Sequence, residues 1–194
     1  MSPCPPCHTD DMELPDPTTA RLLDPDAPSP ADVDAYRLLT ADIASGVAVV
    51  AARHRRRDVA ATVTGFLDVS WDPPTMLVSL FEEGRICDAV ESSGAWALSV
   101  LRRDQEGIAN WLASPGNPVE GLLDGVPFRR APRSGAPVLD GALAWFELAT
   151  VAVHTAATHR IVVGEVTAMG RGVEEAAADD PLVHYARGYR GLAR

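Results

Sequence analysis

The hydrophobic pattern along the chain alternates between apolar runs of strand length and brief polar turns. Val47–Ala52 is a continuous apolar run, and the charged turn Arg53–Asp58 separates it from a second predicted strand, Val59–Thr64. Further runs with strand-like patterns are Ala95–Leu101, Ala142–His154 and His159–Met169. Short connections and the lack of a repeated β-α-β rhythm favour an antiparallel β-barrel over a doubly wound parallel sheet.

The stretch Ala60–Leu80 combines β-forming residues with hydroxyl side chains. It predicts two strand segments separated by Trp71–Pro74, because the two prolines cannot donate ladder hydrogen bonds, and the second strand is expected to begin near Thr75. Thr62 and Thr64 place hydroxyls among apolar neighbours. The pattern alone fits either an ordinary core hairpin, which is the commoner case, or a strand that forms the polar wall of a ligand site.

Helices are predicted at three places between the strands. Ser29 is a suitable cap for a helix that spans about Pro30–Ala44. Its apolar positions recur at helical spacing and are expected to lie on a sheet; they are Val33, Tyr36, Leu39 and Ile43. Ile86–Ser92 and Asp104–Leu112 are the other two helices, whereas residues 115–137 are predicted to form a long surface connection, either a lid or a dimer contact.

Length and charge predict one domain preceded by an acidic tail. The chain has 194 residues, and residues 1–28, rich in proline and aspartate, are predicted to be disordered, with the folded domain at 29–194. Residues 1–34 contain eight acidic residues and one arginine, so most of the net charge of −10 belongs to this segment. The remainder shows no strongly basic surface, and we expect no nucleic-acid partner.

The composition excludes several classes of protein and of chemistry. No apolar window is long enough for a membrane helix, and the N-terminus lacks the basic-then-apolar order of a secretory signal, which predicts a cytoplasmic protein. All 17 basic residues are arginine, which excludes a Schiff-base or P-loop lysine. Cys4–His8 has the spacing of a haem attachment or half a zinc site, but no second Cys/His pair accompanies it, and we expect no metal.

Catalytic motifs with a specific signature are missing from the chain. GxSxG, HExxH and a strand followed by GxGxxG do not occur. The arginine cluster in Arg53–Asp58 has the charge to attract a nucleotide phosphate, although a solvated turn is the commoner explanation. His159, Tyr185 and Tyr189 remain as ring-bearing candidates, and a lone histidine beside a turn is more often a surface residue than a catalytic one.

Several segments of the chain, taken in order from Tyr36 to Leu192, nevertheless resemble one known family. The segments are SGVAVVAA at Ser45–Ala52, TVTGFLDVSWDPP at Thr62–Pro74, LVS at Leu77–Ser79, SGAWALSVL followed by Gln105, APVLDGALAWFEL at Ala136–Leu148, HRIVVGEV at His159–Val166 and PLVHYARGYRGL at Pro181–Leu192. Their order resembles the flavin reductase-like, FMN-binding split-barrel proteins, typified by reductase components of two-component flavin monooxygenases.

The resemblance implies a fold, an activity and partners. The expected fold is mainly β, an antiparallel split β-barrel with a few short helices. The implied activity is hydride transfer from NADH or NADPH to FMN or FAD, and a partner monooxygenase would use the reduced flavin. The family also implies a homodimer that binds flavin near the subunit interface. A flavin-binding split-barrel protein without reductase activity, acting as a carrier or accessory protein, is the alternative.

The resemblance also implies the residues of a flavin site. The implied cofactor-binding residues are Thr62, Val63, Thr64, Gly65 and Phe66 along the ring, Ser79 and Arg85 nearer the ribityl chain and phosphate, and Tyr189 as the late aromatic. His159 matches the histidine on the nicotinamide side and is the predicted catalytic residue. Hydride transfer requires two rings stacked in register, so these residues mainly position the rings.

The chain departs from the family pattern at a few of these positions. The departures are Gly65, Phe81, Glu83, Ile86 and Thr158. Glu83 would place a carboxylate near the flavin phosphate, where like charges repel unless Arg85 or the basic residues at 129–133 intervene. Flavin is therefore expected to bind loosely, as a substrate that diffuses to a partner oxygenase, or the site takes another ligand.

Overall fold

The computed structural model describes residues 20, 22–23, 27–172 and 180–192. The helices are α1 (Pro30–Thr40), α2 (Arg85–Ser93) and α3 (Glu106–Ala113), with a 3₁₀ turn at Arg103–Gln105. The strands are β1 (Ser45–Gly46), β2 (Ala48–His54), β3 (Arg57–Val63), β4 (Phe66–Trp71), β5 (Pro74–Phe81), β6 (Ala95–Val100), β7 (Phe128–Arg130), β8 (Pro137–Leu139), β9 (Ala144–Ala156), β10 (His159–Arg171), β11 (Val183–Tyr185) and β12 (Gly188–Arg190). Most of the predicted tail at 1–28, including Cys4–His8, lies outside the described residues.

Helix α1 belongs to a separate compact unit, Met1–Ile43. Ser29 caps it as predicted, since the backbone N–H of Asp32 donates to the Ser29 hydroxyl over 3.2 Å. The helix ends at Thr40, earlier than predicted, because its last turn closes with 3₁₀-type bonds. The four predicted apolar positions are exposed within this unit, and their packing on a sheet stays a prediction; they are Val33, Tyr36, Leu39 and Ile43. Helical spacing predicts an apolar face, but not whether that face is covered.

The second unit, Ala44–Arg194, is built on a seven-stranded antiparallel sheet with the order β3-β2-β6-β9-β10-β5-β4. The hairpin β2–β3 turns through only Arg55 and Arg56, both at positive φ, so the turn is tighter than the predicted Arg53–Asp58. β9 and β10 are the long strands that the pattern predicted, and they turn at Ala157–Thr158. Their thirteen residues each make them the longest strands of the sheet.

The stretch 60–80 contains three strands rather than the two predicted. The additional break is at Thr64–Gly65, where the chain leaves β3 and enters β4 at the opposite end of the sheet order. The backbone N–H of Ser79 in β5 donates to the Gly65 carbonyl over 2.8 Å and ties the junction to that end. The prediction was wrong because residue pattern reports strand propensity, whereas this break depends on a change of pairing partner.

One core connects the two ends of the sheet. Val78 and Leu80 of β5 share a buried cluster with Val50 of β2 and Trp96 of β6, and Val63 of β3 packs against it. Because both end regions contribute to this cluster, the sheet curls around it, and α2 adds Val90 from one side. This architecture confirms the predicted antiparallel split-barrel class.

The connection 115–137 is less irregular than predicted. It contributes β7, which pairs with β8, and it buries Leu122 and Leu123 in a second core cluster. The turn between β7 and β8 is held by Glu147, a buried carboxylate that accepts from the backbone N–H groups of Arg133 and Ser134. Buried backbone donors need such partners, which accounts for a carboxylate inside the protein.

The described residues include no helix long and apolar enough to cross a membrane. The cytoplasmic location stays a prediction. The predicted final aromatic and basic segment forms the hairpin β11–β12, which pairs with β1 in a three-stranded sheet.

Candidate functional site

A cavity of about 790 Å³ opens beside the junction of β3 and β4. It lies between that junction, the end of β5 with the start of α2, and the segment 112–117. The fold brings most of the predicted site residues to this one cavity; those lining it are Thr62, Val63, Thr64, Gly65, Ser79, Arg85 and His159. Residues from three strands and a helix therefore converge on this cavity.

One side of the cavity, which we call the strand wall, consists of residues 62–65 and Ser79. Gly65 lies against Ser79, since an ideal Cβ on Gly65 would be 3.2 Å from the Ser79 Cβ. The Thr62 hydroxyl donates to the carbonyl of Ala109 in α3 over 2.8 Å, so this predicted ligand group already has an acceptor for its proton. Thr64 is exposed at the cavity. The strand wall thus offers backbone and the Thr64 and Ser79 side chains.

The opposite side, the loop wall, consists of residues 83–85 and 114–117. The Arg85 guanidinium donates to the carbonyl of Asn117 over 2.9 Å and to that of Pro118 over 3.3 Å. The Asn117 side-chain amide in turn donates to the carbonyl of Trp111 over 2.5 Å. Arg85 therefore holds the loop as well as lining the cavity, a role that sequence reasoning missed because the partners lie far apart in sequence.

The charged side chains that line the cavity are Glu83 and Arg85, with His159 as a third ionisable group. Glu82, one residue before Glu83, does not line it and instead pairs with Arg160 over 3.4 Å. Sequence comparison had identified Glu83 as a departure, and the fold places this carboxylate at the cavity itself.

His159 is the first residue of β10, opposite Phe81 of β5. Its ring meets the Phe81 ring edge-on, with centroids 5.8 Å apart, and its Nδ1 is 3.1 Å from the hydroxyl of Thr158. The two contacts orient the imidazole in the cavity lining. Thr158 and Phe81, two positions that depart from the family pattern, are thus the partners of the predicted catalytic residue.

Two predicted cofactor-binding residues do not line this cavity. Phe66 packs towards β1, where its Cζ would lie 3.3 Å from a Cβ built on Gly46. Tyr189 packs against the second core cluster and meets His184 edge-on. Burial, with a smaller effect from Glu106, raises the pKa of the Tyr189 phenol, so it stays protonated. Their roles toward a flavin stay predictions.

Cys87 is a buried, free cysteine that does not line the cavity. It lies in α2 within the first core cluster, and burial together with Glu91 raises the pKa of its thiol to about 11. The thiolate is therefore scarce near neutral pH. Within the described part of the chain, no group of three or more His, Cys, Asp or Glu side chains is arranged to hold a metal ion.

Comparison with known proteins identifies relatives of this chain. The sequence profile of the family described as "Flavin reductase like domain" matches residues 40–193. The reductase component of 4-hydroxyphenylacetate 3-monooxygenase from Thermus thermophilus is 35% identical over 159 residues, which cover 82% of this chain and 96% of that protein. The NADH-dependent flavin reductase StyB of Pseudomonas fluorescens is 32% identical, over 82% of this chain and 91% of its own length.

A solved structure of a flavin reductase component has the same fold as this chain. BorF, the flavin reductase component of a bacterial two-component tryptophan halogenase, superposes with a TM-score of 0.77 and 32% sequence identity. The match covers 84% of this chain and 99% of BorF. The described cavity therefore lies in a fold that a characterised flavin reductase component shares.

Proposed function

This chain belongs to the flavin reductase like domain family, and we propose that it is an NADH- or NADPH-dependent flavin reductase that transfers a hydride to FMN or FAD. The observation that carries the proposal is the convergence of Thr64, Gly65, Ser79, Arg85 and His159 on one cavity. The similarity to the NADH-dependent reductase StyB supports NADH as the hydride donor.

The cavity is large enough for a flavin. Its volume of about 790 Å³ lies in the usual range for small-molecule sites. Gly65 and Gly84 line it where the walls pack closely, since a Cβ on Gly65 would lie 3.2 Å from the Ser79 Cβ and a Cβ on Gly84 would lie 3.0 Å from the Phe81 carbonyl oxygen. A bound flavin supplies the hydride-accepting ring. The strand wall would hold that ring, and the loop wall would lie nearer the ribityl chain.

His159 would position the nicotinamide against the flavin ring. The imidazole is oriented by Thr158 and Phe81, and His159 lines the cavity. Hydride transfer between two rings requires close stacking in register, and neither ring needs a strong acid or base from the protein. The described residues therefore act by orienting the two rings and by excluding water from between them.

Reduced flavin would pass to a partner monooxygenase. The relative from Thermus thermophilus is the reductase component of a monooxygenase, which supports this role. The loop wall is held by contacts of the exposed Arg85 side chain, and such contacts are exchanged easily with water. Flavin would accordingly bind as a substrate that leaves after reduction.

A homodimer is part of the proposal, and the outer face of the sheet supports it. Leu67 of β4, Leu77 of β5 and Val163 of β10 lie side by side in register on this face. Ile161 pairs with Ser79 of the strand wall, so the apolar face continues to the cavity. Partly exposed apolar faces of this kind mark interaction sites, and a second copy would shelter both the face and the cavity.

Analytical ultracentrifugation of the purified protein tests the dimer. Leu67→Glu is expected to shift the protein toward monomer and to weaken flavin binding. Val119→Glu is the matched control, since Leu67 and Val119 are each 55% exposed and Val119 does not lie on the outer face. A wild-type monomer at micromolar concentration, or dimer loss with both variants, would contradict the homodimer.

Steady-state oxidation of NADH and NADPH in the presence of FMN, FAD or riboflavin tests the reductase. We expect flavin-dependent loss of nicotinamide absorbance and, under anaerobic conditions, bleaching of the flavin. If a flavin binds but neither nicotinamide is oxidised, the reductase proposal is wrong and the carrier alternative gains support.

A further inference from the structure

The charged lining of the cavity is balanced. Glu83 and Arg85 flank Gly84 at the start of α2, and both side chains line the cavity. Among the described lining residues, the formal charges of Glu83 and Arg85 cancel. Sites that select phosphate usually present an excess of positive charge with several donors. This cavity presents one guanidinium and one carboxylate in the same turn.

Arg85 already makes two hydrogen bonds within the loop wall. Two of its five N–H donors are directed at the carbonyls of Asn117 and Pro118, and an anion can use the others without displacing these bonds. Arg57, on the neighbouring hairpin, is paired with Glu120 over 3.0 Å and does not line the cavity. Arg85 is thus the single guanidinium in the described lining, and Glu83 opposes its attraction for an anion at the same turn.

Flavins differ in the charge that they would bring to this turn. Riboflavin has no phosphate, whereas FMN ends in a phosphate monoester with about −1.5 to −2 charges near neutral pH. FAD carries two negative charges, one on each of its two diester phosphates. A terminal dianion thus concentrates the most negative charge at one point, where repulsion from a carboxylate is strongest.

We propose that Glu83 determines flavin specificity by disfavouring the terminal phosphate of FMN, so that riboflavin and FAD bind in preference to FMN. The proposal rests on the proposed flavin-binding function of the same cavity. Riboflavin, FMN and FAD share the same ring. Their relative affinities therefore test this proposal separately from the question of whether any flavin binds.

Flavin titrations of the purified full chain at low ionic strength test this. Quenching of flavin fluorescence gives dissociation constants for riboflavin, FMN and FAD with the wild type and with Glu83→Gln. In the wild type we expect FMN to bind more weakly than riboflavin and FAD. Glu83→Gln is expected to lower the dissociation constant for FMN about 3- to 10-fold and to change that for riboflavin less than about 2-fold.

Glu82→Gln is the matched control, because it removes the same charge one residue away from the cavity. An unchanged ratio of FMN to riboflavin affinity in Glu83→Gln, or an equal change in Glu82→Gln, would overturn the proposal. Tighter wild-type binding of FMN than of riboflavin would overturn it as well. If none of the three flavins binds, the proposed function itself fails and the specificity proposal falls with it.

A measurement on the wild type alone covers the case in which Glu83→Gln does not fold. Salt screens exposed charges, so net repulsion predicts that FMN affinity rises relative to riboflavin as ionic strength increases. A relative fall would mean that attraction by Arg85 dominates and would contradict the role of Glu83.

Discussion

The two walls of the cavity are built by different means. Residues 62–63 end β3, whose pairing with β2 is continuous, and residues 64–65 follow directly. Ser79 lies in β5 next to the buried Leu80. Residues 83–85 and 114–117 form a turn and a loop, and the exposed side chain of Arg85 connects them. The strand wall is fixed by a backbone ladder and the core, whereas the loop wall depends on a few side-chain bonds. We infer that the strand wall provides the shape for a ring and that the loop wall determines charge and access.

The largest effect is expected where the strand wall is most tightly packed. Gly65→Val would place methyl groups beyond a Cβ that is already 3.2 Å from the Ser79 Cβ, so the junction must move away from β5 and the strand wall moves with it. Since a displacement of about 1 Å costs about 100-fold in rate, we expect flavin reduction to fall by about that factor.

Gly107→Val is the control for this substitution. No atom lies within 4 Å of an ideal Cβ on Gly107, and valine is no worse than glycine inside a helix. Flavin reduction by Gly107→Val is expected to match the wild type. Equal flavin affinity and turnover in Gly65→Val would show that the strand wall does not contact the ring.

His159→Asn tests the group at the edge between the walls. If the imidazole positions the nicotinamide, kcat/KM for NADH is expected to fall about 10-fold while the dissociation constant of the flavin changes little. His154→Asn is the control, because His154 is exposed on the neighbouring strand and does not line the cavity. A loss confined to flavin binding would instead assign His159 to the flavin site.

The sequence allowed prediction of the strand wall better than of the loop wall. Thr62, Val63 and Ser79 lie in strands with clear residue patterns, Thr64 and Gly65 join β3 to β4, and all five line one cavity. The bonds from Arg85 to Asn117 and Pro118 join residues more than thirty positions apart in a segment without periodicity. No propensity encodes such a contact. The break at Thr64–Gly65 was missed for a related reason, because strand pairing is a property of the whole sheet.

Two substitutions of Arg85 distinguish the effect of its charge from its role in holding the loop wall. Arg85→Lys keeps the charge but cannot direct a planar fork at two carbonyls, whereas Arg85→Ala removes both functions. We expect both variants to increase proteolysis within 114–118 and to weaken FMN binding about 3- to 10-fold, with the larger change in Arg85→Ala. Arg56→Ala, at an exposed turn outside this cavity, is the control. Wild-type protease resistance in Arg85→Ala would contradict the anchoring role.

The smallest effect on flavin binding is expected at Thr62, although the sequence grouped it with Thr64. The Thr62 hydroxyl donates to the Ala109 carbonyl, so Thr62→Val removes a bond between β3 and α3 and is expected to cost about 1 kcal/mol of stability. Its flavin dissociation constant should change less than about 2-fold. Thr64→Val, at an exposed lining position, should instead weaken flavin binding and leave stability nearly unchanged. Urea unfolding and flavin titration of both variants distinguish the two residues, and a reversed pattern would mean that Thr62, rather than Thr64, contacts the ligand.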